Sequence, residues 1–375
     1  MHFSNLIPAA ALVAVVAAQG QMSLMEVLLA NNKTLGTLSG LIQVHPELLS
    51  NLTSTRNITI LAPSNDAFST YLNTPGGQSA AANPGTVQAL LQYHVLQGAW
   101  VSGGLTTGVY AKSMLVNSSF TNVTGGQVVH LSKMGEKLMA SSGNKEMSMS
   151  STKDVLFSGG VVHVIDKVLT IPMIPSRSAL DSGLTALAGA AKAANLVTPM
   201  DTLRDLTIFA PSNGAFQNIG SALPALAADP AMLTNILAYH VVNGTVGYAG
   251  MLSNTSLTTA QGGKVKVEVV NKKVFVNSAQ VVIADIIVAN GVVHVIDNVL
   301  NPSNAAATPM PTATSQSAAF SGVTSTSAIP FTSGIVPTTT APSASTSTAA
   351  AGRMEGAMGM AALFGGAVAV GAGVL

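Results

Sequence analysis

The chain contains the same three segments twice, in the same order, and this duplication constrains its fold more than any other feature. Thr59 to Phe68 reads TILAPSNDAF and Thr207 to Phe216 reads TIFAPSNGAF; Tyr93-His94-Val95 returns as Tyr239-His240-Val241; Gly160 to Asp166, GVVHVID, returns unchanged as Gly291 to Asp297. Ordered self-similarity of this kind predicts two copies of one domain. The first two segments are offset by 148 and 146 residues and the third by 131. Copy one therefore carries about fifteen extra residues between its second and third segments. Met134 to Ser151, rich in Ser, Met, Lys and Gly, is the expected place, as a polar flexible surface loop.

The 375 residues give room for two domains and tails. Charged residues make up 8% of the chain and the net charge is +1, which argues against a nucleic-acid partner or an acidic membrane surface. Cysteine is absent, so thiol catalysis, disulfides and cysteine-based zinc sites are excluded. Residues 1–20 read as a secretory signal, with an apolar stretch from Leu6 to Ala18 before small residues. Asn-x-Ser/Thr acceptors for N-glycosylation stand at Asn32, Asn51, Asn57, Asn117, Asn122, Asn243 and Asn254. Residues 301–352 are rich in Ser, Thr, Pro and Ala and are expected to form a disordered, glycosylated stalk. Small residues at Ala350, Ala351 and Gly352, a short polar spacer and an apolar run to Leu375 make 353–375 a GPI-anchor signal, with a single transmembrane helix as the rival reading.

Domain one is expected over 21–170, a short proline-containing linker over 171–177 and domain two over 178–300. Apolar residues at three- and four-residue spacing predict helices over Ser23–Leu29, Thr34–Val44, Val87–His94, Ala179–Ala194 and Ala231–His240. Short β-branched runs predict strands at Asn57–Ala62 and Leu206–Ala210, each ended by Pro-Ser-Asn, whose polar side chains cap the following helix. Lys264–Val270 alternates as a half-exposed strand does, and Lys273–Asn277, Gln280–Ile287 and Gly291–Leu300 continue a meander. The expected architecture is α+β: in each copy, a mainly antiparallel β-wedge packed with several α-helices.

These segments resemble the fasciclin-like domain family. Its first signature is similar to Thr59–Phe68 and Thr207–Phe216, its central Tyr-His pair to Tyr93-His94 and Tyr239-His240, and its last signature to Gly160–Leu169 and Gly291–Leu300. The resemblance covers both copies, and the signal, stalk and anchor are similar to those of fungal and plant members. It implies a non-catalytic extracellular protein of cell adhesion or cell-wall and matrix organisation, needing no cofactor. Its partners would be wall or matrix components or surface receptors, with a GPI lipid holding it to the membrane. In animal members the Tyr-His region and an Asp-Ile pair carry integrin binding. The matching residues are Tyr93, His94, Tyr239, His240, Asp285 and Ile286; copy one has Asp154-Val155 at the last place.

The residues themselves leave alternatives open. Each Tyr-His pair is either an adhesive contact or a structural lock, since adjacent helix residues point about 100° apart and do not share a face. His163 with Asp166, and His294 with Asp297, lie three apart on strands and so face opposite sides, which excludes a catalytic dyad. Asp285 is either an edge residue or a contact. No histidine spacing suits a metal. A glycan on Asn243 is expected to shield the neighbouring face of domain two, leaving Tyr93-His94 as the more exposed pair. The alternative function is a carbohydrate- or lipid-binding surface module, although aromatic residues make up only 4% of the chain.

Overall fold

The computed structural model describes residues 22–336 apart from Ser253 and Thr314. The signal at 1–20 and the anchor candidates Ala350, Ala351 and Gly352 lie outside the described residues.

Helix starts follow the local chemistry closely. Ser23 and Glu26 form a reciprocal capping box at the start of α1 (Leu24–Ala30), followed by α2 (Asn32–Gln43) and α3 (Pro46–Ser54). Pro63 ends β1 (Ile58–Pro63), and the Ser64 hydroxyl accepts the Ala67 N–H to open α4 (Asn65–Leu72). After α5 (Pro75–Ala81), Asn83 caps α6 (Pro84–Tyr93), whose proline occupies the first turn where no N–H is needed. Strands β2 (Val95–Gln97), β3 (Val109–Lys112), β4 (Val128–Met134), β5 (Lys137–Ser141), β6 (Met147–Phe157) and β7 (Gly160–Ile165) complete domain one.

Domain two repeats the plan. It runs α7 (Pro175–Asp181), α8 (Thr185–Ala193), α9 (Val197–Thr202), β8 (Leu206–Pro211), α10 (Asn213–Asn218), α11 (Leu223–Ala228), α12 (Pro230–Tyr239) and β9 (Val241–Val242). Strands β10 (Thr255–Thr258), β11 (Lys264–Val270), β12 (Lys273–Val276), β13 (Ala279–Val288) and β14 (Gly291–Ile296) follow. Ser212 caps α10 and Asp229 caps α12, as Ser64 and Asn83 do in domain one. The single helix expected over Ala179–Ala194 is two, because Gly183, at φ +71°, turns the chain left-handed between α7 and α8.

Each domain holds a seven-stranded sheet, in the orders β2-β1-β7-β6-β5-β4-β3 and β9-β8-β14-β13-β12-β11-β10. All neighbours are antiparallel except β1 with β7 and β8 with β14. Bridges from Leu96 to Ser113 and from Val242 to Thr259 draw the two ends of each sheet toward each other, giving a wedge with apolar side chains on both faces. The fold is the α+β pair of wedges that the sequence predicts.

Two further expectations are corrected. The segment Met134–Ser151 is β4, β5 and β6 with their turns, not a free loop. Most of the extra length falls earlier: fifteen residues from Ser113 to Gln127 stand where Thr259 to Gly263 supply five. The stalk expected over 301–352 is also folded near its start. Ala318, Phe320, Val323 and Phe331 pack against the helical core of domain two, and Phe331 meets Phe216 edge to face at 6.1 Å. Backbone bonds run from Thr326 N to Gln217 O at 2.9 Å and from Ser221 N to Thr324 O at 3.0 Å. A few well-spaced apolar residues anchor a sequence whose average composition points to disorder.

The parallel pairs leave no space for side chains where they begin. A Cβ on Gly160 would lie 1.8 Å from Ile58 O, and one on Gly291 1.9 Å from Leu206 O. Gly291→Ala is expected to destabilise the protein by about 1–3 kcal/mol or more, the range of forced overpacking at a buried site. Gly40→Ala, at an open helical position, should be neutral or stabilising by up to about 1 kcal/mol. Thermal melting of both variants checks this; equal melting would show that the strand start can shift.

Candidate functional site

The Tyr-His pairs form the junction between helix and strand in each domain. Tyr93 closes α6, and its hydroxyl donates to Val128 O at 2.9 Å, bolting the helix to the start of β4. Tyr239 does the same to Lys264 O at 2.7 Å and also accepts from the Asn277 amide. His94 Nδ1 donates to Leu90 O at 2.7 Å, and its Nε2 accepts from Leu169 N–H at 2.9 Å. His240 repeats this with Ile236 O at 2.8 Å and Leu300 N–H at 2.8 Å. These partners fix a neutral imidazole with hydrogen on Nδ1. Burial pushes both histidines down to about 4.

All four side chains are at most 3% exposed. A partner cannot touch them, so the adhesive reading of Tyr93, His94, Tyr239 and His240 gives way to the structural one. The expected shielding by a glycan on Asn243 falls with it: Asn243 is exposed, but Tyr93 and His94 form no exposed pair for it to leave bare.

His163 and His294 work the other way round. His163 Nε2 donates to Trp100 O at 2.8 Å and Nδ1 accepts from Asp154 N–H at 3.1 Å. His294 Nε2 donates to Gly247 O at 2.8 Å and Nδ1 accepts from Asp285 N–H at 3.3 Å. The Asp285 carboxylate lies 3.9 Å from His294 Nδ1, but that nitrogen already accepts a hydrogen, so the pair is not ionic. Burial lowers both imidazoles below their usual range. Asp166 takes Met149 N–H and Asp297 takes Gln280 N–H, both at 2.7 Å, as strand-end acceptors with no part in a dyad.

Asp285 and Asp154 are structural equals. Each sits at φ +60° in an irregular stretch of its strand, a conformation aspartate tolerates better than most residues. Asp154 accepts from the backbone and hydroxyl of Ser102, and Asp285 from Ala249 N–H at 2.7 Å. Ile286 is in the core of domain two, 4% exposed. The adhesive reading of Ile286 is therefore withdrawn, and Asp285 is a loop-holding residue.

Asp285 also borders a seam between the domains that the sequence did not reveal. Tyr110 of domain one stacks on Tyr248 of domain two at 4.0 Å and on His130 at 4.6 Å. Burial and the nearby Asp285 carboxylate push both phenols far above their usual range. Lys145 Nζ donates to Ala284 O at 2.6 Å. The extra loop Ser113–Gln127 supplies the rest. Thr121 Oγ1 and Asn122 N–H both donate to Ala289 O, and Gln127 Nε2 donates to Val288 O at 3.0 Å. Asn122 Nδ2 reaches Thr202 O at 2.8 Å, and Thr124 gives its N–H and hydroxyl to Asp205 at 2.7 and 2.6 Å. The length mismatch between the copies was the one available signal of this loop.

One apolar pocket of about 80 Å³ opens beneath α9, lined by Leu187, Leu196, Met200, Leu203, Leu206 and Leu237 among others. Among the described residues no group of three His, Asp or Glu is placed to hold a metal ion, and no helix is long and apolar enough to cross a membrane.

The chain belongs to the fasciclin-domain family: the fasciclin domain model matches residues 33–172 and 182–302. A fasciclin-like arabinogalactan protein of Arthroderma benhamiae is 33% identical over 301 residues, covering 80% of this chain and 71% of that one. A second, from Phaeosphaeria nodorum, is 30% identical and covers 74% and 88%. The transforming growth factor-beta-induced protein ig-h3 of Sus scrofa is 29% identical over 68% of this chain and 34% of its own. Among solved structures, the FAS1 domain pair from the insect cell adhesion molecule fasciclin I matches 72% of this chain and 98% of its own at 18% identity, with a TM-score of 0.35.

The neutral histidines set a pH dependence. In the unfolded chain each titrates near 6.5, whereas folded His94 and His240 titrate at about 4. Between those values the unfolded state binds more protons, so stability is full above about pH 6.5 and falls as pH drops toward 4. The loss is on the order of 3 kcal/mol per histidine at most. Denaturant midpoints measured from pH 7 to 4 are expected to decline steeply below 6; a flat profile would show that the clamps accept protons without breaking.

Proposed function

We propose that the protein is a non-catalytic, extracellular glycoprotein acting in cell adhesion or cell-wall organisation through its two fasciclin domains. Residues 1–20 act as the secretory signal, and the chain is held to the membrane by a GPI anchor attached near Ala350, Ala351 or Gly352. The observation that carries this reading is the tandem fasciclin match shared with fungal proteins named fasciclin-like arabinogalactan proteins. The distribution of acceptors supports it: Asn32, Asn51, Asn57, Asn117, Asn243 and Asn254 are all exposed, as sugar attachment needs. With little surface charge, solubility falls to polar uncharged side chains and to those sugars. Two domains on one anchored chain raise effective concentration, so weak single contacts to wall or matrix polymers hold together.

The pocket beneath α9 supports a second reading, a lipid-binding module, over a carbohydrate-binding one, since its lining is apolar. At about 80 Å³ it admits only a few methylene groups, well short of the roughly 300 Å³ or more of ordinary ligand pockets.

The full chain, expressed with its own ends in a glycosylating host, tests the proposal. It is expected at the cell surface, glycosylated, released by a phosphatidylinositol-specific phospholipase, and able to increase retention of cells on isolated wall polysaccharide. Intracellular retention, or binding equal to cells lacking the chain, would overturn it. Tyr93→Ala and His94→Ala should weaken retention only in step with a fall in melting temperature, because these side chains reach no partner.

A further inference from the structure

Of the seven acceptor asparagines, Asn122 is built into the seam. It is only partly exposed, where the other six are exposed. Its Nδ2, the atom that takes the sugar, donates to Thr202 O at 2.8 Å. The hydroxyl of Thr124, the residue that makes Asn122 an acceptor, donates to the Asp205 carboxylate at 2.6 Å. The backbone on both sides is tied to domain two as well, through Asn122 N–H to Ala289 O at 2.7 Å and Thr124 N–H to Asp205 at 2.7 Å. One Nδ2 hydrogen of Asn122 and the hydroxyl of Thr124, the two groups that define the acceptor, are thus engaged by the second domain.

We infer that glycosylation of Asn122 and docking of the two domains exclude each other, so that this acceptor sorts the chain into a closed, bare form and an open, sugar-bearing form. The source of the sugar rests on the secretory route proposed above. In the transfer, Nδ2 bonds to the anomeric carbon of an oligosaccharide carried on a lipid pyrophosphate. The bond from that carbon to the pyrophosphate oxygen breaks, the pyrophosphate leaves with the electron pair, and Nδ2 loses a proton. The sugar replaces one of the two Nδ2 hydrogens, and its ring, on an atom 2.8 Å from Thr202 O, crowds the segment of domain two that docks there. The choice is made during synthesis. Asn122 is made about 80 residues before Thr202, so at roughly 5–20 residues per second it stands free for several seconds before its partner exists.

Asn117 is the internal control. It lies five residues earlier in the same loop, is exposed, and uses its carboxamide oxygen to accept from Ser119 N–H at 2.9 Å. A sugar there leaves the seam intact.

Because the chain has no cysteine, Asn122→Cys and Asn117→Cys each create a unique attachment point in the full chain. An iodoacetamide-linked chitobiose is attached under denaturing conditions, the protein is refolded, and amide hydrogen exchange is followed over 120–128 and 285–291. The sugar at 122 is expected to speed exchange in both segments at least tenfold over the unmodified variant, and the sugar at 117 to leave both unchanged. Equal protection in the two conjugates would overturn the inference. Should Asn122→Cys open the seam before any sugar is attached, the native glycoforms decide. In chains from a glycosylating host, molecules with a sugar on Asn122 should fall in the fast-exchanging class, and a sugar-bearing Asn122 with full protection overturns the inference. If no acceptor carries sugar in that host, the secretory reading fails, while the thiol conjugates still judge the exclusion.

Discussion

The structure depends on the parallel pairing of β1 with β7, and of β8 with β14. The paired strands lie 102 and 85 residues apart in the chain, and their register begins at Ile58 against Gly160 and at Leu206 against Gly291. Closing so long a loop is entropically unfavourable, and what offsets it is concentrated at this pair. Two runs of apolar residues are buried on both faces, and the histidine that caps the end of α6 or α12 accepts the N–H of Leu169 or Leu300 just beyond the last strand. The three segments repeated in the sequence are the three parties to this contact. The first is the inner strand and its capped helix, the second carries the clamp, and the third is the strand that arrives last. Their repetition records a packing requirement, and burial of the clamps leaves them no surface to offer a partner.

Much of this was legible because it rests on local chemistry. Pro-Ser-Asn after an apolar run marks a strand end and a helix cap without reference to the rest of the molecule, and both copies obey it. Strand alternation over the first four residues of Lys264–Val270 shows directly as a buried face and an exposed one, and it ends at Val269, which is exposed. What stayed hidden depends on distant groups. Nothing near Asp285 in sequence tells that Tyr110 and Lys145 approach it, and nothing in a Ser/Thr/Pro-rich tail tells that Phe320 and Phe331 find the open side of α8 and α10. Composition averages over such residues, whereas burial acts on each one.

The seam shows how a duplicated domain becomes a pair. Domain two turns directly from β10 into β11 through Thr259–Gly263; domain one widens the same turn to Ser113–Gln127 and devotes the added residues to its neighbour. The contacts combine hydrogen bonds to main-chain carbonyls of 202, 284, 288 and 289 and to the Asp205 carboxylate with a buried apolar cluster, in which Val128 and Tyr110 meet Tyr248, Ile287 and Val292. The hydrogen bonds of this seam fix orientation while the cluster at its centre buries apolar side chains of both domains. The linker is involved too: Met173 O accepts the Ala289 N–H at 2.8 Å.

The folded tail of domain two has a mechanical meaning. A pull on the chain beyond residue 336 does not load β14 at once. It first meets the contacts of Phe331 with Phe216 and of Thr326 with Gln217, which give way in succession like a peeled strip. Residues 301–336 then release a length of roughly 120 Å at about 3.3–3.6 Å per residue, and only afterwards does tension reach the parallel pair. The tail lies in series with the sheet and lengthens before it, so the clamped core is strained last.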